Sequence, residues 1–110
     1  MTDLLLVFTS LPDAASAQRI ARALVEARHA ACVSIGAPVR SVFVWQCAIE
    51  ETTEIPLMIK TTVAAYGALE SALRALHPYE VPEIIALPVD RGLPAYLQWA
   101  HDTTQERTDP

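Results

Sequence analysis

The sequence predicts an α+β fold, a ferredoxin-like β-α-β-β-α-β sandwich with an extra C-terminal helix. Three observations predict it. β-prone apolar runs recur four times, over residues 4–9, 31–45, 49–62 and 83–89. Apolar residues at helical spacing fill the first and third gaps, over 14–28 and 63–76. The second gap holds only a turn, so the second and third strands make a long hairpin.

The elements follow in order. Residues 4–9 are apolar without alternation, the pattern of a buried central strand. Ser10 and Pro12 bound it, and Asp13 is a good N-cap for the next helix. Ala17, Ile20, Ala21, Leu24 and Ala27 give that helix one apolar face. Arg28 and His29 are expected in its last turn, where positive charge suits the helix dipole. The second strand is interrupted by Gly36-Ala37-Pro38, which predicts a bulge or bend. Gln46-Cys47-Ala48 forms the turn. The third strand opens charged, with Glu50, Glu51 and Glu54, and turns apolar at Ile55, Leu57, Met58 and Ile59. Pro56 lacks a ladder donor and predicts an edge or a bulge. Tyr66, Leu69, Leu73 and Leu76 mark the second helix, with Thr62 as its N-cap. His77-Pro78 ends it, because the residue before a proline avoids helical geometry. A strand over 83–89 and a short helix over 93–101, with Pro94 in its first turn, complete the order. A single domain then spans 1–101, and the polar tail 102–110 is expected to be flexible.

Composition adds an argument for assembly. The 110 residues make one domain, yet 52% are hydrophobic, only 19% are charged, and mean hydropathy is +0.25. That is more apolar surface than a small monomer hides. The two hairpin strands run about 12 residues or more, against a usual ~5–6. Part of the hairpin must project and seek a partner, so a symmetric homo-oligomer is expected. Net charge is −5 and the 8 basic residues do not cluster, which speaks against nucleic acid as a partner. The longest unbroken aliphatic or aromatic run, residues 4–8, is far shorter than the ~20 that span a bilayer. Asp3 precedes it, so it does not read as a signal peptide. Cys32 and Cys47, with no secretory signal, point to free thiols in the cytoplasm.

Enzyme signatures are missing: there is no Gly-rich phosphate loop, no GxSxG serine and no HExxH pair. A binding or assembly protein, not an enzyme, is expected. The densest polar stretch is His77-Pro78-Tyr79-Glu80-Val81-Pro82-Glu83. Imidazole with carboxylate suits zinc or copper(II), and a nearby carboxylate also tunes an imidazole as a base. The alternative is a rigid connector, in which His77 caps the helix, Tyr79 packs, and Glu80 and Glu83 are solvated. Cys32, inside a strand, is either a soft metal ligand or a small buried hydrophobe. Cys47 sits at the hairpin tip, too far from Cys32 for a disulfide. Trp45 beside it is a contact residue, or an interface or core aromatic. Lys60 meets an anion, pairs with Glu80 or Glu83, or simply closes its strand. Glu50, Glu51 and Glu54 collect cations weakly or form a solvated hairpin face.

Over residues 4–101 the chain resembles the CutA divalent-cation tolerance proteins. The resemblance rests on Pro12-Asp13, Leu24-Val25-Glu26, Ala30-Ala31-Cys32-Val33, Trp45, Glu50-Glu51, Ile59-Lys60-Thr61-Thr62 and Leu93-Pro94-Ala95-Tyr96-Leu97 with Trp99. Above all it rests on His77-Pro78-Tyr79-Glu80-Val81-Pro82-Glu83-Ile84, the most specific run.

The resemblance implies a homotrimer of ferredoxin-like subunits in a PII-like assembly, with long hairpins pairing between subunits. It implies a role in the response to divalent metals, copper above all, and no established reaction. An intersubunit cleft is implied at Trp45, Lys60 and Tyr79. His77, Glu80, Glu83 and Cys32 are the expected contacts for a weakly bound divalent metal, copper or zinc, with no cofactor required. Thr9 and Leu76 stand where some members carry a cysteine and a second histidine. Cys47 stands where glycine is usual in the hairpin turn, so a different turn geometry is expected at the tip. The alternative reading is a PII-like signalling or scaffold trimer that binds a small anion or a protein partner in the cleft.

Overall fold

A computed structural model describes residues 1–105. Five strands and three helices follow in the order β1 (Leu4–Leu11), α1 (Ala14–Glu26), β2 (Cys32–Ile35), β3 (Val39–Trp45), β4 (Ala48–Thr62), α2 (Val63–Leu76), β5 (Ile85–Pro88) and α3 (Pro94–Thr103). The strands make one antiparallel sheet in the order β2-β4-β1-β5, with β3 continuing the β2 flank of β4. The α+β class and the order of elements agree with the sequence reading.

Alternation along β4 sorts the two faces of the sheet. Ile55, Leu57, Ile59 and Thr61 point to the helix-covered side and are buried. Ile55, Leu57 and Ile59 meet Val7 and Leu11 of β1, Ile20 and Leu24 of α1, and Leu69 and Leu73 of α2 in the main core. A smaller cluster of Leu4, Ala31 and Ala100 docks α3 near the start of β1.

The predicted interruption of the second strand divides it into β2 and β3. The Gly36 N–H donates to the Pro56 carbonyl at 2.9 Å, and a Cβ on Gly36 would come within 2.9 Å of Pro56 Cγ. Pro56 is not at an edge: β4 is flanked by β1 on one side, where Ser10 is the register partner, and by β2 and β3 on the other. Its carbonyl points to the break between β2 and β3, and in a strand the nitrogen of the same residue points the same way. The missing donor therefore falls where the ladder is already open.

Arg28 departs from expectation. It is not in the last turn of α1 but follows the Ala27 cap with φ 62°. The Arg28 N–H donates to Val25 O and the His29 N–H to Leu24 O, each at 3.0 Å, closing a Schellman motif. Arg28 Nη1 then donates to Thr103 O at 3.1 Å, so its charge serves the C-terminus of α3 instead. The caps Asp13 and Thr62 accept from Ser16 and Ala65 as predicted.

At the hairpin tip Gln46 and Cys47 have φ 50° and 67° between the paired Trp45 and Ala48. This is the two-residue turn with both central residues left-handed that glycine would favour. The different geometry expected from Cys47 does not occur; the cysteine adopts the left-handed conformation itself. α3 runs two residues past the predicted His101, through Thr103, and Thr104 donates to Ala100 O at 3.0 Å. The rest of the predicted flexible tail, 106–110, lies outside the described residues.

Candidate functional site

His77 stands at the end of α2 because Pro78 forces its ψ to 134° and turns the chain out of the helix. Its ring is 7% exposed. Nε2 lies 2.8 Å from Ser10 O; a carbonyl only accepts, so Nε2 carries the proton. Nδ1 accepts the Tyr79 N–H at 3.2 Å. Burial holds the imidazole below its ordinary value, although the Ser10 carbonyl and the Glu54 charge act the other way. The neutral tautomer is therefore fixed by two partners.

The Ser10 carbonyl is free for a sheet reason. Val89 N donates to Leu4 O, so the even-numbered carbonyls of β1 face the β5 flank. β5 pairs only as far as Phe8. The His77 imidazole takes the next rung.

Tyr79 lies against the His77 ring with centroids 4.9 Å apart, and its hydroxyl donates to Glu54 Oε2 at 2.9 Å. Burial first, then this carboxylate, pushes the phenol up to about 12. Glu54 was expected on a solvated hairpin face; it is half-buried and holds Tyr79. Glu80 and Glu83 are exposed.

Lys60 occupies a separate place. It pairs in register with Cys32 of β2 and Leu6 of β1. Neither Glu80 nor Glu83 is its partner: no carboxylate lies within 4.0 Å among the described residues. Its Nζ stands 5.9 Å from the centroid of Tyr96, which tilts against Trp99 at 5.5 Å. Cys32 is half-buried and Cys47 exposed, both as free thiols.

Ala48, which pairs with Trp45, lies six residues before Glu54 on β4, and Lys60 lies six after it. Each step is about 20 Å along an extended strand. Even-numbered positions share a face, so Trp45, the Tyr79–Glu54 pair and Lys60 are strung along one side of the sheet. One subunit does not gather them into a single cleft. Nor does it gather the expected metal contacts: His77 has no free nitrogen, Cys32 pairs with Lys60 at the far end of β4, and no group of three metal-ligating side chains occurs among the described residues. As placed, His77, Glu80, Glu83 and Cys32 do not fit one ion within a subunit.

Sequence reasoning missed Glu54 as the partner of Tyr79, the Ser10 carbonyl as the partner of His77, and Tyr96, backed by Trp99, as the aromatic face beneath Lys60. The first two depend on strand register and carry no local signal.

Residues 5–103 match the family model described as CutA1 divalent ion tolerance protein. Protein CutA of Mus musculus is 46% identical over 89% of this chain, which spans only 55% of the mouse protein's length. The crystal structure of CutA from Xylella fastidiosa superposes with a TM-score of 0.92 at 44% identity, covering 94% of this chain and 100% of that one. The periplasmic divalent cation tolerance protein CutA from Archaeoglobus fulgidus superposes with a TM-score of 0.89 at 34% identity, covering 93% and 99%. With its fold, its motif run and nearly its whole described length matched, the chain belongs to the CutA1 divalent ion tolerance family.

Proposed function

We propose that the chain acts as a homotrimer in divalent-cation tolerance, in a PII-like assembly built around its projecting hairpin. The observation that carries the reading is the apolar surface of that hairpin: Val42, Val44 and Ile49 are 65%, 70% and 79% exposed. A lone subunit would leave this surface, and the unpaired edge of β3, open to water. Sister subunits that cover them also supply the second wall that the strung-out Trp45, Tyr79 and Lys60 need to line a cleft. Light scattering on the eluting protein tests this. The expected mass is three times the 12.0 kDa chain, and Val44→Glu should lower it. A monomer at micromolar concentration would overturn the reading.

On this reading the protein binds and assembles and catalyses no reaction. Copper or zinc meets it weakly, through exposed carboxylates such as Glu80 and Glu83, because the His77 nitrogens are already engaged. Copper calorimetry on wild type and His77→Ala checks this: similar affinities are expected, and a large loss in the variant would restore His77 as a ligand. The two free thiols favour the cytoplasm, and no described helix is long and apolar enough to cross a membrane.

A second reading, a trimer that binds a small anion in the cleft, rests on one observation. Lys60 is a half-buried residue whose ammonium has no carboxylate partner among the described residues.

A further inference from the structure

We infer that Lys60, Tyr96 and Trp99 form a recognition site for an anion with a flat aromatic body, such as an aryl carboxylate. The inference rests on the small-anion reading of Lys60 and goes further by naming the chemistry of the ligand.

The charge is the first ground. In a chain of net charge −5, Lys60 is a half-buried basic residue with no counter-ion among the described residues. Arg22, Arg40 and Arg91 are all paired with carboxylates, and Arg28 reaches a helix carbonyl. Arg19 and Arg74 also have no carboxylate within 4.0 Å among the described residues, but both are exposed; of these three, only Lys60 is half-buried and stands over an aromatic face. The aromatic face and the half-buried stem hold the ammonium in place, so an anion arriving there meets a cation that is already positioned.

The aromatic pair is the second ground, and it is independent of the first. Tyr96 and Trp99 are three positions apart on α3 and so share a helix face. They tilt at 41° with centroids 5.5 Å apart, yet Tyr96 remains 37% and Trp99 46% exposed. The pair is an apolar wall beside a cation. Offset stacking on that wall and contact with Nζ can be made together only by a ligand that is flat and negative. Inorganic anions lack the flat body, and neutral aromatics lack the charge.

Calorimetry on the assembled protein tests both grounds with three probes: 2-naphthoate, its neutral analogue 2-naphthylmethanol, and inorganic phosphate. Naphthoate should bind most tightly. Lys60→Met should weaken it ~10-fold or more, as loss of one charge-assisted contact does. Lys60→Arg should retain most of the affinity, and Trp99→Leu should lower affinity for naphthoate but not for phosphate. If phosphate and naphthoate bind equally and both depend on Lys60, the anion reading stands and the aromatic inference fails. If naphthoate and naphthylmethanol bind equally, with no effect of Lys60→Met, or if no probe binds, both fail.

Discussion

Tyr79 and Glu54 lie 25 positions apart in the chain and are joined by a 2.9 Å hydrogen bond from the phenol to Oε2. The bond fastens the connector after α2 to β4 just before Pro56, at the base of the projecting hairpin. Burial and the carboxylate both favour the neutral phenol and push Tyr79 from its ordinary 10.0 up to about 12. A folded value raised in this way stabilises the protein fully below pH 10. That contribution is lost as pH rises through about 12. Alkaline titration followed by phenolate absorbance should show Tyr79 ionising last of the three tyrosines, after Tyr66, which burial and Glu70 also push up. Glu54→Gln should bring that group down toward 10. An unchanged late step in the variant would show that Glu54 does not hold the phenol.

His77 makes the opposite prediction on the acid side. Its lowered folded value means that its contribution is complete above the ordinary 6.5 and is lost as pH falls below that toward the folded value. Protonation at Nδ1 also removes the acceptor for the Tyr79 N–H. Thermal melts should fall as pH drops below 6.5, ahead of the carboxylate range. His77→Gln should be less stable at neutral pH and should lack this early acid phase. The Asp13 carboxyl, held below its ordinary 3.8 by the Ser16 N–H, fails only in stronger acid, so the two phases separate.

What was legible in the sequence is what a few adjacent residues decide. Asp13, Thr62, Pro78 and Pro94 act within one helical turn, and each marks a boundary the structure keeps. Gly36-Ala37-Pro38 announced a break, but not that Pro56 would lie across from it in a flanked strand. The HPYE run was visible as a polar cluster, yet its chemistry reads differently once register is known. The Ser10 carbonyl takes the imidazole N–H, the Tyr79 backbone N–H takes the Nδ1 lone pair, and Glu54 takes the phenol, so the groups that a metal site would use are engaged. Arg28 was misplaced because a Schellman motif normally takes glycine at that position, and arginine gives no sign of a left-handed φ.

Two buried threonines should respond in opposite directions to the same change. Thr61 is fully buried and donates to His29 O at 2.6 Å, whereas Thr9 is 1% exposed and its hydroxyl has no partner among the described residues. Thr9→Val replaces an orphan hydroxyl with a methyl and should stabilise the fold by about 1 kcal/mol. Thr61→Val strands a buried carbonyl and should cost about 1–2 kcal/mol. Denaturant unfolding of both variants reads the difference. Destabilisation by Thr9→Val would mean that the hydroxyl is bonded after all, most simply to a buried water.

The hairpin tip offers the last test. Cys47 carries φ 67° in a turn whose two central residues are both left-handed. An L-residue with a side chain bears about 1–2 kcal/mol for that conformation, and glycine does not. Glycine also loosens the unfolded chain, which offsets part of the gain. Cys47→Gly should therefore stabilise the protein by a net ~0.5–1 kcal/mol. Cys47→Ala is the control: it removes the thiol but keeps the Cβ, so it should leave stability nearly unchanged. Equal gains in the two variants would assign the effect to the sulfur. A loss in Cys47→Gly alone would mean that the entropy of the unfolded chain outweighs the relief at the turn, and a loss in both variants would mean that the exposed side chain at the tip is held by something outside the subunit. Repeating both measurements over a range of protein concentrations that spans dissociation of the proposed trimer would locate that contact in a sister subunit or exclude it.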